Sequence, residues 1–153
     1  MKLAIGSDHA GFPLKEELKI FLAERGEPFE DFGTFEPDPP VDYPDIALAV
    51  ARAVIAGSFE AAILLCGTGQ GMAIAANKVP GIRASLCTDV ISASFARSHN
   101  DANILTMGQR ITAPHLAREI LRIWLETKFT GGRHQRRLDK IRGIEQEFCR
   151  QPA

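Results

Sequence analysis

Short apolar runs alternate along this chain with longer stretches in which apolar residues recur every three or four positions, the two periods of buried strands and amphipathic helices. Residues 2–7 read as a first strand. Gly11 and Pro13 then open a helix whose Leu14, Leu18, Phe21 and Leu22 share one face, and Gly26 ends it. Residues 28–33 predict a short second strand, and a proline-rich loop over 34–44 leads to a helix over 45–56 closed by Gly57. The runs 61–66, 82–87 and 103–107 are the third, fourth and fifth strands, with helices over 71–77 and 89–97 between them. A long helix follows Pro114 with Leu116, Ile120, Ile123 and Trp124 on one side. After the Gly131-Gly132 break a final helix is expected over 135–149, with Leu138, Ile141, Ile144 and Phe148 as its apolar positions.

This alternation predicts an α/β fold, a five-stranded parallel sheet with helices on both faces, right-handed crossovers and an added C-terminal helix. In the common strand order 2-1-3-4-5 the topological switch lies between strands one and three, and ligands bind at the C-terminal strand ends there. At 153 residues with 45% hydrophobic content, residues 1–153 make one domain with a full core. The formal net charge of −1 and the lack of a basic run argue against nucleic acid or an anionic membrane as partner and leave small molecules. Cys66, Cys87 and Cys149 are odd in number and lack paired metal spacing, which suits a reducing compartment. With no signal-peptide pattern and no membrane-length apolar stretch, a cytoplasmic location is expected.

The strongest chemical signal is where the apolar run 61–66 enters Cys66-Gly67-Thr68-Gly69-Gln70-Gly71. A buried strand ending in a thiol places that thiol at the binding rim of the sheet. Three closely spaced glycines let a ligand approach the main chain, and their N–H groups lead into a helix start that favours anions. Cys66 is therefore a candidate base or nucleophile, although a lone cysteine before an ordinary turn is more often structural. Walker A is excluded because Met72 and Ala73 stand where its lysine and hydroxyl belong. A cysteine phosphatase loop would need an arginine at Met72, and the dinucleotide fingerprint fits imperfectly because the third glycine comes one residue early, although Asp89 follows at a suitable distance.

Across the crevice, strand one ends in Ser7-Asp8-His9-Ala10-Gly11. Asp8 is suited to hold substrate hydroxyls and His9 a phosphate; the plainer role for Asp8 is capping the first helix. Arg97-Ser98-His99-Asn100-Asp101 closes the fourth helix, and a polar cap with His99 near the helix's negative end is its plain reading. Arg133 and Arg137 lie four apart, on one face if the last helix begins that early, as a two-pronged phosphate grip needs. Cations are disfavoured at a helix N-terminus, so a basic start there points to a ligand.

With these motifs in place, the chain resembles the ribose-5-phosphate isomerase B family, which also holds galactose-6-phosphate and allose-6-phosphate isomerases. The resemblance is carried by Ser7 through Gly11, Asp42-Tyr43-Pro44, Cys66 through Gly71 and Ala75-Ala76-Asn77-Lys78. It continues in Gly81-Ile82-Arg83-Ala84, Ser98 through Asn103, Gly108-Gln109-Arg110 and Gly131 through Arg137. It implies a Rossmann-like three-layer αβα sandwich, no cofactor, no metal, and homodimers or dimers of dimers with shared active sites. Cys66 places the chain in the branch with a cysteine base rather than a glutamate further along the loop. The loop over 35–40 departs from the shorter one of that family.

The implied reaction interconverts ribose 5-phosphate and ribulose 5-phosphate through an enediolate, a step of the pentose phosphate pathway. It needs a base, a home for the oxyanion and a handle on phosphate. Cys66 is the implied base, and the N–H groups of Gly67, Thr68, Gly69, Gln70 and Gly71 the implied oxyanion donors. His99 is the implied ring-opening acid, with Thr68 assisting at the ring oxygen. Asp8 and Asn100 would position hydroxyls, and His9, Arg133, Arg137 and Arg110 would hold the phosphate. Six-carbon substrates, a nucleotide-binding module and a non-catalytic sugar-phosphate sensor are the competing readings. His99 following the fourth strand is expected to reach the Cys66 crevice only from a second copy.

Overall fold

A computed structural model describes residues 1–148 of the chain. The elements run β1 (Leu3–Ser7), α1 (Phe12–Glu24), β2 (Phe29–Asp31), α2 (Tyr43–Ile55), β3 (Ala61–Cys66), α3 (Gln70–Ala76), β4 (Ala84–Leu86), α4 (Val90–Ser98), β5 (Ile104–Gly108), α5 (Pro114–Glu126) and α6 (Arg133–Phe148). The expected end of the last helix at Cys149 lies outside the described residues. All strand pairs are parallel, and helices cover both faces of the sheet.

The sheet order is β2-β1-β3-β5-β4, not 2-1-3-4-5. Burial explains the correction. Every residue of β5 is buried, so it needs strands on both sides, whereas β4 has three half-buried residues and sits at the edge. The Asn77 side chain finishes that edge: its amide donates to the Ala84 carbonyl at 2.9 Å and its oxygen accepts the Ala84 N–H at 2.8 Å.

Strand alternation divides the core in two. Leu3 and Ile5 of β1, Ile63 and Leu65 of β3, and Leu105 and Met107 of β5 pack with α1, α4 and α5, around the fully buried Trp124. Ala4, Ala62, Leu64, Cys66 and Ile104 face the other way, against α2 and α3. Shortening a side chain such as Leu64 to alanine in layers this closed costs about 2–5 kcal/mol. The alternation also decides where the thiol goes: Cys66 is the last residue of β3 on the α2/α3 side, at the C-terminal rim.

Among the described residues one charged side chain is fully buried. Lys15 of α1 donates to Asp31 at 2.7 and 2.8 Å and to the Thr34 carbonyl at 2.6 Å, which ties α1 to the end of β2 and the start of the following loop. α6 buries Leu138 and leaves Ile141, Ile144 and Phe148 exposed. Glu145 anchors this helix to the body by accepting the Gly81 N–H at 2.9 Å.

Candidate active site

The C-terminal ends of β1 and β3 form a cleft of about 270 Å³ lined by Asp8, His9, Ala10, Tyr43, Cys66, Gly67, Thr68, Gly71 and Arg110. Gly69, in the left-handed region at φ 80°, turns the chain from β3 into α3 and brings its N–H to 3.1 Å from the Cys66 sulfur. The thiol is nearly closed off, at 5% exposure, and lines this cleft. Asp8 is buried beside it, one carboxylate oxygen accepting the Gly11 N–H at 2.9 Å. Gly11, not Asp8, occupies the N-cap of α1. His9 holds its Nδ1 against the Val41 backbone, 3.2 Å from the carbonyl oxygen and 3.3 Å from the nitrogen, which leaves Nε2 for another partner.

Close backbone approaches set the walls. The Arg110 guanidinium lies over Gly67, where an added Cβ would come within 3.4 Å of it, and the Arg110 N–H donates to the Gly67 carbonyl at 2.9 Å. Tyr43 packs its ring against Gly71 so closely that a Cβ there would meet it at 2.8 Å. Gly108, paired with Cys66 across β3 and β5, lets the Thr68 backbone pass. Gln70 is exposed at the first position of α3, and the Thr68 hydroxyl accepts its N–H at 3.4 Å.

The remaining predicted site residues gather at the other end of the sheet. Because α4 runs back against the strands, His99 and Asn100 at its C-terminus stand by the N-terminal ends of β4 and β5, where Asn103 bonds to Arg83 and Ala62. Arg83 secures this turn, donating to the Asn100 and Asp101 carbonyls at 3.0 Å and to the Asp101 carboxylate at 2.9 Å. α6 does begin at Arg133, so Arg133 and Arg137 lie one turn apart on its first two turns. Its start is pinned to α4 by Thr130, whose N–H and hydroxyl both donate to the Ser98 carbonyl at 3.0 and 2.8 Å.

One chain therefore holds two separate clusters of the predicted site residues, with Cys66, Asp8, His9, Arg110 and the glycine loop at one end, and His99, Asn100, Arg133 and Arg137 at the other. Two residues not singled out from sequence join them. Tyr43 walls the first, and His134 stacks on His99 in the second with ring centroids 4.1 Å apart. Both lie inside motifs that carry the resemblance, yet each contact spans elements far apart in sequence. Burial pushes the His134 imidazole down, and the neighbouring His99, Arg133 and Arg137 push it the same way. Burial also raises Cys87, which is fully buried beside Ser85, so the second thiol is held as a thiol in the core. Among the described residues no three His, Cys, Asp or Glu side chains converge as a metal site.

A thiol, a buried carboxylate and a guanidinium around one cleft at a glycine turn can exchange a proton next to a developing anion. Comparison with known proteins places the chain among isomerases. The family model described as Ribose/Galactose Isomerase matches residues 3–141. Ribose-5-phosphate isomerase B of Escherichia coli (strain K12) is 47% identical over 145 residues, covering 95% of this chain and 97% of the relative. A ribose-5-phosphate isomerase B structure from Clostridium thermocellum superposes with TM-score 0.95 at 51% identity, covering 97% of this chain and 99% of the other. A 4-deoxy-4-sulfo-D-erythrose isomerase from Clostridium sp. (strain MSTE9) is 44% identical over 147 residues, covering 96% and 92%.

Proposed function

The chain belongs to the ribose/galactose isomerase family, and from that premise we propose that this sugar-phosphate isomerase interconverts ribose 5-phosphate and ribulose 5-phosphate, with Cys66 as the proton-transferring base. The observation that carries the reading is the Cys66 sulfur at the rim of β3, taking the Gly69 N–H at 3.1 Å in the same cleft as Asp8, His9 and Arg110.

In this reading the Cys66 thiolate takes the C2 proton of the open-chain aldose and returns it at C1. The enediolate oxygen lies against those N–H groups of the 67–71 turn that are not already engaged, the Gly69 N–H being on the Cys66 sulfur and the Gln70 N–H on the Thr68 hydroxyl. Loss of one such donor costs about 3 kcal/mol of transition-state stabilisation. Asp8 orients a hydroxyl, Thr68 assists at the ring oxygen, and His9 Nε2 and Arg110 hold phosphate oxygens. Remote phosphate binding of this kind orients the reacting carbons. Ring opening falls to His99 as acid, with Asn100 on a hydroxyl and Arg133 and Arg137 on the phosphate. These four stand at the far end of the same chain's sheet, so a partner copy supplies them. The working unit is then a homodimer, or a pair of dimers, with two shared sites that need no metal or cofactor. Such a reaction belongs to the pentose phosphate pathway and the cytoplasm.

Ribose 5-phosphate is favoured over other substrates by the names and high identity of the Escherichia coli and Clostridium thermocellum proteins. The test is a coupled isomerase assay on ribose 5-phosphate, allose 6-phosphate, galactose 6-phosphate and four-carbon phosphate and sulfonate analogues. The reading expects the highest kcat/KM on ribose 5-phosphate, with solvent deuterium entering the product. A higher kcat/KM on another sugar would overturn the substrate, and transfer without solvent exchange in any turnover would favour a hydride shift over the enediolate.

A further inference from the structure

We infer that His134 is a positioning residue for His99, a fixed plate behind the imidazole that confines the His99 N–H groups to one plane. The inference rests on the reading of His99 as the ring-opening acid and adds to it a side chain that would not touch substrate. His99 is the middle ring of three: Phe95 lies 4.5 Å from it with the planes 13° apart, and His134 lies 4.1 Å away on the other face with the planes 9° apart. A ring covered on both faces can turn only within its own plane, which is the plane of its two nitrogen–hydrogen vectors. The two plates are not equivalent. Phe95 is half exposed, whereas His134 is buried at 8% exposure.

The backing is built by the chain around it. Thr130 fastens the segment before α6 to the Ser98 carbonyl, one residue from His99. Gly131 and Gly132, at φ 64° and 57°, then turn the backbone through a conformation that side-chain-bearing residues rarely take, and the His134 N–H closes on the Gly131 carbonyl at 3.1 Å. His134 is thereby folded back onto the end of α4. Its charge state suits the task, because burial and then His99, Arg133 and Arg137 all oppose a proton on it. Arg97, the charged neighbour on α4, is engaged elsewhere, with the Ala102 carbonyl, Asp101 and the face of Trp124. A neutral ring behind an acid aims it without competing for its proton, whereas two stacked imidazolium ions would repel.

The experiment uses the intact protein and three variants, His134→Phe, which keeps a plate and cannot titrate, and His134→Ala and His134→Gln, which remove the plate. His99 is followed by NMR of histidine-labelled protein, and single-turnover rates are taken from cyclic ribose 5-phosphate and from ribulose 5-phosphate. Loss of the plate is expected to shift the His99 ring protons by removing a ring current and to slow the ribose direction on the order of tenfold, a cost typical of a slightly misaimed group. The ribulose direction is expected to change far less, and His134→Phe to recover most of the loss. Unchanged rates in both directions for Ala or Gln, with folding shown by the NMR spectrum, would overturn the inference. So would a His134→Phe variant as slow as His134→Ala. The reading of His99 itself is tested separately by His99→Asn, whose equal loss on both sugars would remove its acid role while leaving the NMR test of the stack intact.

Discussion

Replacing Gly108 by alanine strikes the candidate site through geometry alone. Gly108 ends β5, pairs with Cys66 across the sheet, and leaves no room for a methyl group. A Cβ at 108 would lie 2.4 Å from the Thr68 carbonyl carbon, 2.5 Å from its Cα and 2.6 Å from its oxygen, all backbone atoms that cannot rotate aside. Restoring an ordinary contact of 3.4 Å requires the glycine loop or β5 to move by roughly 1 Å in a close-packed layer. Overpacking of that kind costs about 1–3 kcal/mol of stability. A shift of about 1 Å in the groups that hold a reacting centre costs on the order of a hundredfold in rate. Gly108→Ala is therefore expected to fold with a lowered urea midpoint and to lose about two decades of kcat/KM in the coupled isomerase assay. Gly143→Ala is the control, since nothing lies within 4 Å of a Cβ there and a helix-interior glycine replaced by alanine gains about 0.5–1 kcal/mol. A Gly108→Ala enzyme with the stability and kcat/KM of the parent would refute the claim that the Gly108–Thr68 approach sets the loop.

Two further predictions concern charge. Asp31→Asn leaves Lys15 fully buried with only the more distant Glu16 carboxylate, at 3.6 Å, and is expected to destabilise by about 3–5 kcal/mol in urea unfolding, the usual cost of breaking a buried pair. Burial raises Asp31, but hydrogen bonds from Lys15, Lys19 and the Gly33 N–H outweigh it and hold the carboxyl below its usual range. Its contribution is thus present above the unfolded-state pKa near 3.8 and is lost as pH falls through the lower folded value, so the gap between parent and variant should narrow only in acid. His134 works in the opposite range. Its folded pKa lies below the ordinary 6.5, so the unfolded chain binds more protons between the two values and stability should rise with pH through that window. Urea midpoints from about pH 5 to about pH 8 should show a shallower rise in His134→Phe than in the parent, and identical slopes would remove His134 as the titrating group.

Local pattern carried most of the fold. The strand over residues 61–66 was legible to the residue because six apolar positions end at a glycine turn, and α3 and α4 differ from expectation by one residue at each end. The order of the last two strands was not legible. A parallel crossover of the same length can place β4 on either side of β5, and the choice turned on which strand has side chains to bury on both faces. The fourth strand is shorter than its apolar run suggests because the Asn103 side chain accepts the Arg83 N–H at 2.8 Å and donates to the Gly81 carbonyl at 2.9 Å, holding residues 82 and 83 out of the ladder. Asn77 and Asn103, both inside motifs that carried the resemblance, bond the backbone of the β4 edge. The split between Cys66 and His99 was half visible: a crowded reach was expected, and the backward run of α4 turns it into opposite ends of the sheet. Tyr43 and His134 stand inside motifs that carried the resemblance, but the contacts of Tyr43 with Gly71 and of His134 with His99 were not legible, because each depends on where two distant elements pack.

The central claim is that Cys66 of one copy works with His99 of another on one sugar phosphate, and complementation between two inactive variants tests it most directly. Cys66→Ala and His99→Asn are mixed after reversible dissociation, heterodimers are counted by native mass spectrometry, and ribose 5-phosphate turnover is followed. Each heterodimer then holds one doubly defective site and one intact site, so activity should return to about half the parent value per heterodimer, or roughly a quarter overall after random mixing. No recovery despite demonstrated heterodimers would contradict the shared site, and parent-like activity of Cys66→Ala alone would contradict the thiol base.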